Sequence, residues 1–254
     1  MRHFEQEEIA QRYAKFRPQV QGKIIDIVAE HLAWSEPFGR AVDYACGTGH
    51  SAAPLRAYAN EVIGCDVSAE MLEQARQAYP AITFKQVDND VLPFPDGSVN
   101  LLTVGFAFHW LEACTFLKEA ARVLVKDGLL VIYNMVFPGV MKGNETYHDW
   151  HHGTYTAKYP TPKRNRKPLK DSLVEGDFNL SLEDIIPLSF PQEMSASELR
   201  NYLTTQSNIS VGVENGEALA DIDTWLDKSL SRYFKKSVEI FEYKGKAAVL
   251  RRTR

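Results

Sequence analysis

The sequence has little of what would mark a chain for export, for a membrane or for a polyanionic partner. Its three cysteines, Cys46, Cys65 and Cys114, are odd in number and show no C-x-x-C spacing, in a 254-residue chain too large to need disulfide staples. A reducing compartment is the simplest setting. No apolar run approaches the roughly 18 residues of a membrane span. The opening stretch MRHFEQEEIAQRY is acidic and lacks the apolar centre of a signal peptide. The expectation is a soluble, cytoplasmic protein. Basic charge is also short: 29 Lys and Arg against 33 Asp and Glu leave a formal net charge of -4. That balance gives no general attraction to nucleic acid or anionic lipid and suits a small or neutral partner. Internal repeats and low-complexity tracts are absent.

What is present is rhythm. Two helices open the chain, one over EQEEIAQRYAKF with Ile9, Tyr13 and Phe16 at helical spacing, the next over Val20 to Trp34. From Gly39, short apolar runs alternate with amphipathic ones: RAVDYA, SAAPLRAYA, EVIGCD, SAEMLEQARQAY, ITFKQV, VNLLTVGF, CTFLKEAARVLV and GLLVIYNMV. This alternation predicts a parallel sheet with helices on both faces. Asp96-Gly97 and Asp127-Gly128 supply turns before the fourth and fifth strands. After Val136 the rhythm breaks, and it returns with IIPLSF, helices over SASELRNYLTT and NGEALADIDTWLDKSLSRYF, and a last strand segment SVEIFEYKGKAAVLRR. The expected organisation is a helical cap over 1–36, a sheet core over 37–136, an insertion or substrate lid over 137–183 and completion of the sheet over 184–254.

The stretch DYACGTGHSA contains G-x-G-x-x-A, a form of the dinucleotide fingerprint, with Asp66 following at the end of the second strand. Asp43 conflicts with that reading. A carboxylate inside the first strand is poorly placed beside a pyrophosphate, because two anions would share a low-dielectric crevice. It suits a cationic ligand, and it can accept from the backbone of the Gly47 to Gly49 turn.

The loop resembles the first motif of class I S-adenosylmethionine-dependent methyltransferases, commonly D-x-G-C-G-T-G, with Ala45 in place of a frequent glycine. Three later segments resemble that family in order: CDVS, VDNDVLPFPDGSVNLLTVGFAFHWL and EAARVLVKDGLLVIY. The N-terminal IAQRYAKFRP and the pair His109-Trp110 are similar to a trans-aconitate methyltransferase-like group. The resemblance implies an α/β, doubly wound, mostly parallel seven-stranded sheet of the Rossmann-like kind. It also implies S-adenosylmethionine as cofactor, a small-molecule methyl acceptor such as a carboxylate, and in-line transfer. It places Asp43, Ala45, Gly47 and Gly49 at the methionine half of the cofactor, Asp66 on the ribose, and Val67 and Met71 against the adenine. Asp88 and Asn89 read the adenine, and Phe106, at the end of the fourth strand, contacts the cofactor. Tyr13 and Arg17 either cap the pocket, with Arg17 on the methionyl or the substrate carboxylate, or form a packed helix face with a solvated arginine. His109 orients the acceptor or takes its proton.

Other readings of the same residues remain open. Asp66 is a helix cap as readily as a ribose ligand, and Ser68 competes for the cap. His148 and His152, four apart, would share a helix face; a surface or lid role is preferred over a metal site because no further ligand is evident. The run Lys163-Arg164-Asn165-Arg166-Lys167 reads as a solvated loop. Two competing functions stand beside methyl transfer: a NAD-dependent oxidoreductase, and a non-catalytic S-adenosylmethionine-binding regulatory protein.

Overall fold

The computed structural model describes residues 7–88, 91–136, 139–162, 169–176 and 178–254. Asn89 and the basic run at 163–167 lie outside the described residues. The chain opens with α1 (Glu7–Phe16) and α2 (Gln21–His31), then alternates β1 (Phe38–Tyr44), β2 (Ala59–Asp66), α3 (Ala69–Ala78), β3 (Thr83–Gln86) and β4 (Val99–Gly105). Next come α4 (Ala113–Val123), β5 (Leu124–Val136), α5 (Glu145–Asp149), a π-helical stretch Trp150–Tyr155, α6 (Thr156–Lys158) and α7 (Leu169–Glu175). The final elements are β6 (Leu180–Met194), α8 (Ala196–Leu203), α9 (Ser207–Glu214), α10 (Leu219–Leu230) and β7 (Glu239–Arg252).

All seven strands join one sheet in the order β3-β2-β1-β4-β5-β7-β6. β1 pairs in parallel with β2 and with β4, β2 with β3, and β4 with β5. The strand order therefore reverses direction between β1 and β4, and the crevice outside their carboxyl ends is where open sheets of this kind hold ligands. The strands are near-continuous apolar runs because both faces are covered. Val42, Tyr44, Ile63, Cys65, Leu102, Val104, Leu130 and Ile132 pack with Phe116, Leu117, Ala120 and Val123 of α4 in one buried cluster. The Tyr44 and Phe116 rings stack with centroids 5.3 Å apart.

The chain divides into two compact units. The sheet unit comprises 19–134, 164–188 and 245–254; the aromatic unit comprises 1–18, 135–163 and 189–244. The latter is rich in buried rings. Tyr147, Trp150, Tyr155 and Tyr159 are all buried, and the Trp150 ring lies 6.0 Å from Trp225 and 5.7 Å from Tyr233.

Three local expectations change. SAAPLRAYA forms only a short 3-10 turn over Ala53–Ala57, because β2 already begins at Ala59 and leaves room for little more than one turn. Asp127-Gly128 does not precede the fifth strand; it lies within β5, where the register against β4 slips between Val99 and Leu101, and Asp127 adopts φ 63°. The stretch after Val136 has a core period after all, since Tyr147, Trp150, His151, Tyr155 and Tyr159 recur on one side of a continuous helical run. An unexpected helix, α9, forms over SNISVGVE despite its glycine and β-branched residues.

Candidate active site at the carboxyl ends of the first, second and fourth strands

The site starts from two acids. Asp43 is the penultimate residue of β1, is 0% exposed, and stands in register with Thr103 of β4. Its Oδ1 accepts a 2.7 Å hydrogen bond from the Thr103 hydroxyl, while Oδ2 is buried with no donor in bonding geometry. Burial pushes its pKa from 3.8 up to about 7, opposed by the Ser51 and Thr103 hydroxyls and reinforced by the charge of Asp66. Thr103 and Ser51 were not among the expected residues. The signal for Thr103 was a lone hydroxyl inside the apolar run LLTV, and only the β1–β4 register assigns it to Asp43.

Asp66 closes β2. Its Oδ2 accepts from the backbone N–H of Gly47 at 2.7 Å and its Oδ1 from Ser68 N–H at 2.9 Å. Burial raises its pKa, against the pull of the Ser68, Gly47 and Val67 N–H groups. The Gly47 amide thus bonds to Asp66, whereas an acceptor role toward this turn was expected of Asp43. The helix cap is Ser68, whose hydroxyl accepts from Met71 N–H at 3.2 Å. Asp66 instead ties the end of β2 to the loop after β1.

Between these acids the loop turns through left-handed backbone at Ala45 (φ 57°), Gly47 (φ 52°) and Gly49 (φ 84°). Gly49 has a double requirement, since a Cβ there would also approach Tyr79 to 2.9 Å and Phe84 to 3.0 Å. Gly49 N–H donates to Cys46 O at 2.9 Å, closing the turn. Thr48 is buried and its Oγ1 makes no hydrogen bond. Cys46 and Cys65 are buried thiols whose pKa values burial raises, Cys65 to about 12, so neither is a nucleophile.

The remaining expected residues separate into groups. Val67 is 46% exposed beside Asp66, Met71 is only 4% exposed, and Asp88 is exposed just past β3. Phe106 follows β4 at φ 58°, its ring 5.5 Å from Tyr133. A bulky residue in that region is strained, and strain of this kind concentrates at functional sites. His109 lies in the next turn, Phe108–Trp110, half-buried and 4.8 Å from the Trp110 ring. Tyr13 and Arg17 belong to the aromatic unit, where the Arg17 guanidinium lies over the Tyr13 ring at 4.6 Å.

The rings of His148 and His152 stand 4.4 Å apart on exposed side chains. Among the described residues no three His, Cys, Asp or Glu side chains form a metal-holding group. His151, between them, is buried; burial and its two histidine neighbours bring its pKa down to about 4. No helix among the described residues is long and apolar enough to cross a membrane.

A family profile described as a methyltransferase domain matches residues 42–132. A Dictyostelium discoideum protein that carries the name of methyltransferase is 27% identical over 213 residues, covering 82% of this chain and 78% of its own length. The trans-aconitate 2-methyltransferase of Azoarcus sp. is 34% identical over 125 residues, 48% of each chain. Other curated relatives are matched over 42 to 65% of their own length. Among solved structures, the geranyl diphosphate C-methyltransferase of Streptomyces coelicolor, in complex with Mg2+, geranyl diphosphate and S-adenosyl-L-homocysteine, superposes with a TM-score of 0.52. It is 15% identical and covers 90% of this chain and 77% of that one.

Proposed function

We propose that this chain is a class I S-adenosylmethionine-dependent methyltransferase and that it methylates a small-molecule acceptor bearing a carboxylate. The donor site is assigned to the loop between Asp43 and Gly49 together with Asp66. The observation that carries this is the fully buried Asp43 carboxylate, which only the Thr103 and Ser51 hydroxyls offset, one strand away from a second carboxylate that organises the loop backbone. A sulfonium or ammonium group supplies the positive charge that such a site lacks; a pyrophosphate would add anions to it. The oxidoreductase reading therefore loses its ground, and the relatives named above carry methyltransferase names.

When bound, S-adenosylmethionine supplies an activated methyl group. In this reading Asp66 accepts from the ribose hydroxyls, with its remaining lone pairs free of the Gly47 and Ser68 amides. Val67, Met71 and Asp88 surround the adenine, and the Ala45 to Gly49 turn and Phe106 bound the methionine half. In-line displacement asks the protein mainly to align the acceptor and exclude water. An acceptor carboxylate is already ionised at neutral pH, so His109 orients it; with a hydroxyl or amine acceptor His109 becomes the general base.

Titration calorimetry tests the reading: S-adenosylmethionine and S-adenosylhomocysteine both bind, and the absence of heat with either sinks it. His109→Ala lowers turnover by about 100-fold, the order of one acid–base or positioning contribution, while donor affinity stays unchanged. Equal weakening of donor binding would move His109 from the acceptor to the donor.

A further inference from the structure

The aromatic unit carries two exposed histidines whose spacing is set by the rings beneath them. Tyr147, His151, Tyr155 and Tyr159 recur at every fourth residue, and all four are buried. Their rings follow one another, His151 at 6.1 Å from Tyr147 and 5.2 Å from Tyr155, and Tyr159 at 5.9 Å from Tyr155. In a regular α-helix such a row drifts by about 40° at each step, because 3.6 residues complete a turn. The π-helical stretch Trp150–Tyr155 has a wider turn with less rotation per residue, which offsets the drift and keeps the row inward. His148 and His152, each one residue further along, face outward and are exposed. A π-helical segment, a form that gathers at functional sites, thus holds two imidazoles side by side at the surface, with ring centroids 4.4 Å apart.

That separation suits a shared ion. With nitrogens about 2.0–2.1 Å from the metal, two imidazoles on one ion put their ring centres about 4.5 Å apart at a right angle and about 5.2 Å apart at a tetrahedral angle. The observed 4.4 Å matches the right angle. Asp149 supplies support from behind. Its Oδ1 lies 3.5 Å from His148 Nδ1, and a carboxylate there favours the proton on Nδ1 and leaves Nε2 as the ligand. The remaining described histidines are placed otherwise: His31 pairs with Asp184 at 2.7 Å, His50 is buried, His109 belongs to the sheet unit and His151 to the inward row.

We propose that His148 and His152 form a two-imidazole chelate for a divalent cation of the Ni2+ or Cu2+ class, with Asp149 orienting His148. Among the described residues no third protein ligand joins them, so water completes the coordination. The site is independent of the methyl-transfer reading. Nitrogen donors at a right angle set the ligand class, since tetragonal sites of this kind favour Cu2+ or Ni2+ whereas Mg2+ and Ca2+ require oxygens. Because His148 belongs to α5 and His152 to the π-helical stretch, a bound ion braces the segment that carries Tyr147, His151 and Tyr155.

The test is calorimetric titration of Ni2+ alone into the full, untagged chain. Every sample carries His3→Gln, which removes an imidazole close in sequence to Met1 and its amino group. One Ni2+ per chain is expected, undisturbed by an excess of Mg2+ of about 100-fold. His148→Gln and His152→Gln each weaken binding by about 10-fold or more, and the double substitution goes little beyond either, because a chelate is lost with one of its two ligands. Asp149→Asn weakens it by about 3–10-fold, at or below the usual cost of removing a carboxylate behind a ligating histidine, because Asp149 is 82% exposed. His31→Gln changes nothing. No binding of Ni2+ with both histidines intact overturns the proposal without need of a further variant. Unchanged affinity after either substitution, with the chain folded by circular dichroism, shows an adventitious ion only and overturns it as well. So do two Ni2+ per chain of which each substitution removes one, since the histidines would then act separately. Displacement by Mg2+ would put the ion on carboxylates and overturn the nitrogen assignment, and full affinity in Asp149→Asn would overturn the orienting role of that carboxylate.

Discussion

Each of the two units buries a charge of opposite sign and gives it too few partners. In the sheet unit it is Asp43, with the Thr103 hydroxyl on Oδ1 and the Ser51 hydroxyl nearby; in the aromatic unit it is Arg17, with the Thr205 carbonyl on Nη2 and, among the described residues, no partner on Nε. The two charges bear burial differently. A carboxylate escapes by taking a proton, and Asp43 does so with a pKa pushed up to about 7. A guanidinium has no such escape, and Arg17 is instead wrapped in rings that attract a cation. The backbone differs in the same sense. Ala33, Ala45, Phe106, Asp127 and Asn179, the described non-glycine residues with positive φ, all fall in the sheet unit. Strain there gathers in loops and turns, including those next to Asp43 and after β4, while the aromatic unit relies on side-chain packing.

The largest test of this contrast is pH. The folded chain holds a proton on Asp43 that the unfolded chain gives up near 3.8. Stability is therefore expected to fall as pH rises from about 4 to about 7, and the carboxylate costs most above that window. The rise from 3.8 to about 7, at about 1.4 kcal/mol for each tenfold change in proton affinity, sets a ceiling of about 4 kcal/mol. Urea unfolding of the ligand-free protein at pH 5 and pH 8 measures it. Asp43→Asn flattens most of this slope, leaving the share of Asp66, and is more stable than the unaltered chain at pH 8. A slope unchanged by Asp43→Asn would mean that the carboxylate is solvated. Nothing comparable is expected from Arg17, whose charge does not titrate in this range.

Asp66 gives the next largest effect. Asp66→Ala is expected to weaken S-adenosylhomocysteine binding by about 1–3 kcal/mol, through lost charge-assisted hydrogen bonds to the ligand and the released Gly47 amide. Calorimetry reads this directly. An unchanged dissociation constant removes Asp66 from the donor site and leaves it only its tie between β2 and the loop.

How much of this was visible beforehand also differs between the units. The strands around Asp43 and Asp66 are apolar runs interrupted by acids, and a period of two or a continuous run reports such strands locally. Their polar partners were hidden for the opposite reason. Thr103 meets Asp43 across a register between strands 60 residues apart, and the Gly47 amide reaches Asp66, the last residue of the neighbouring β2, while Asp43 accepts from Thr103. In the aromatic unit the helical spacing of Tyr147, Trp150, Tyr155 and Tyr159 was present but mixed with His148, His152 and Asp149, which face outward and blur the pattern. Arg17 could be named from its motif, yet the absence of a carboxylate partner among the described residues depends on α10 placing Asp223 beside Arg12 instead.

The smallest effect concerns Ala45, where the sheet unit tolerates strain without a charge. At φ 57° its methyl group sits in the left-handed region, which costs an L-residue roughly 1–2 kcal/mol and costs glycine nothing. Ala45 also packs against the main core cluster, so removing the methyl forfeits part of about 0.8 kcal/mol of burial. Glycine adds flexibility to the unfolded chain, which offsets a further part of the gain. The balance leaves Ala45→Gly about 0.5 kcal/mol more stable, a rise in melting temperature of about 1–2 °C for a chain of this size. Ala45→Val moves the other way, because a β-branched residue is a true outlier at positive φ. Donor affinity is expected to hold in the glycine variant, since the neighbouring Asp66 to Gly47 bond does not involve the Ala45 side chain. If Ala45→Gly instead loosened donor binding, the methyl group would be a wall of the site, and strain at this position would be serving the ligand rather than the turn.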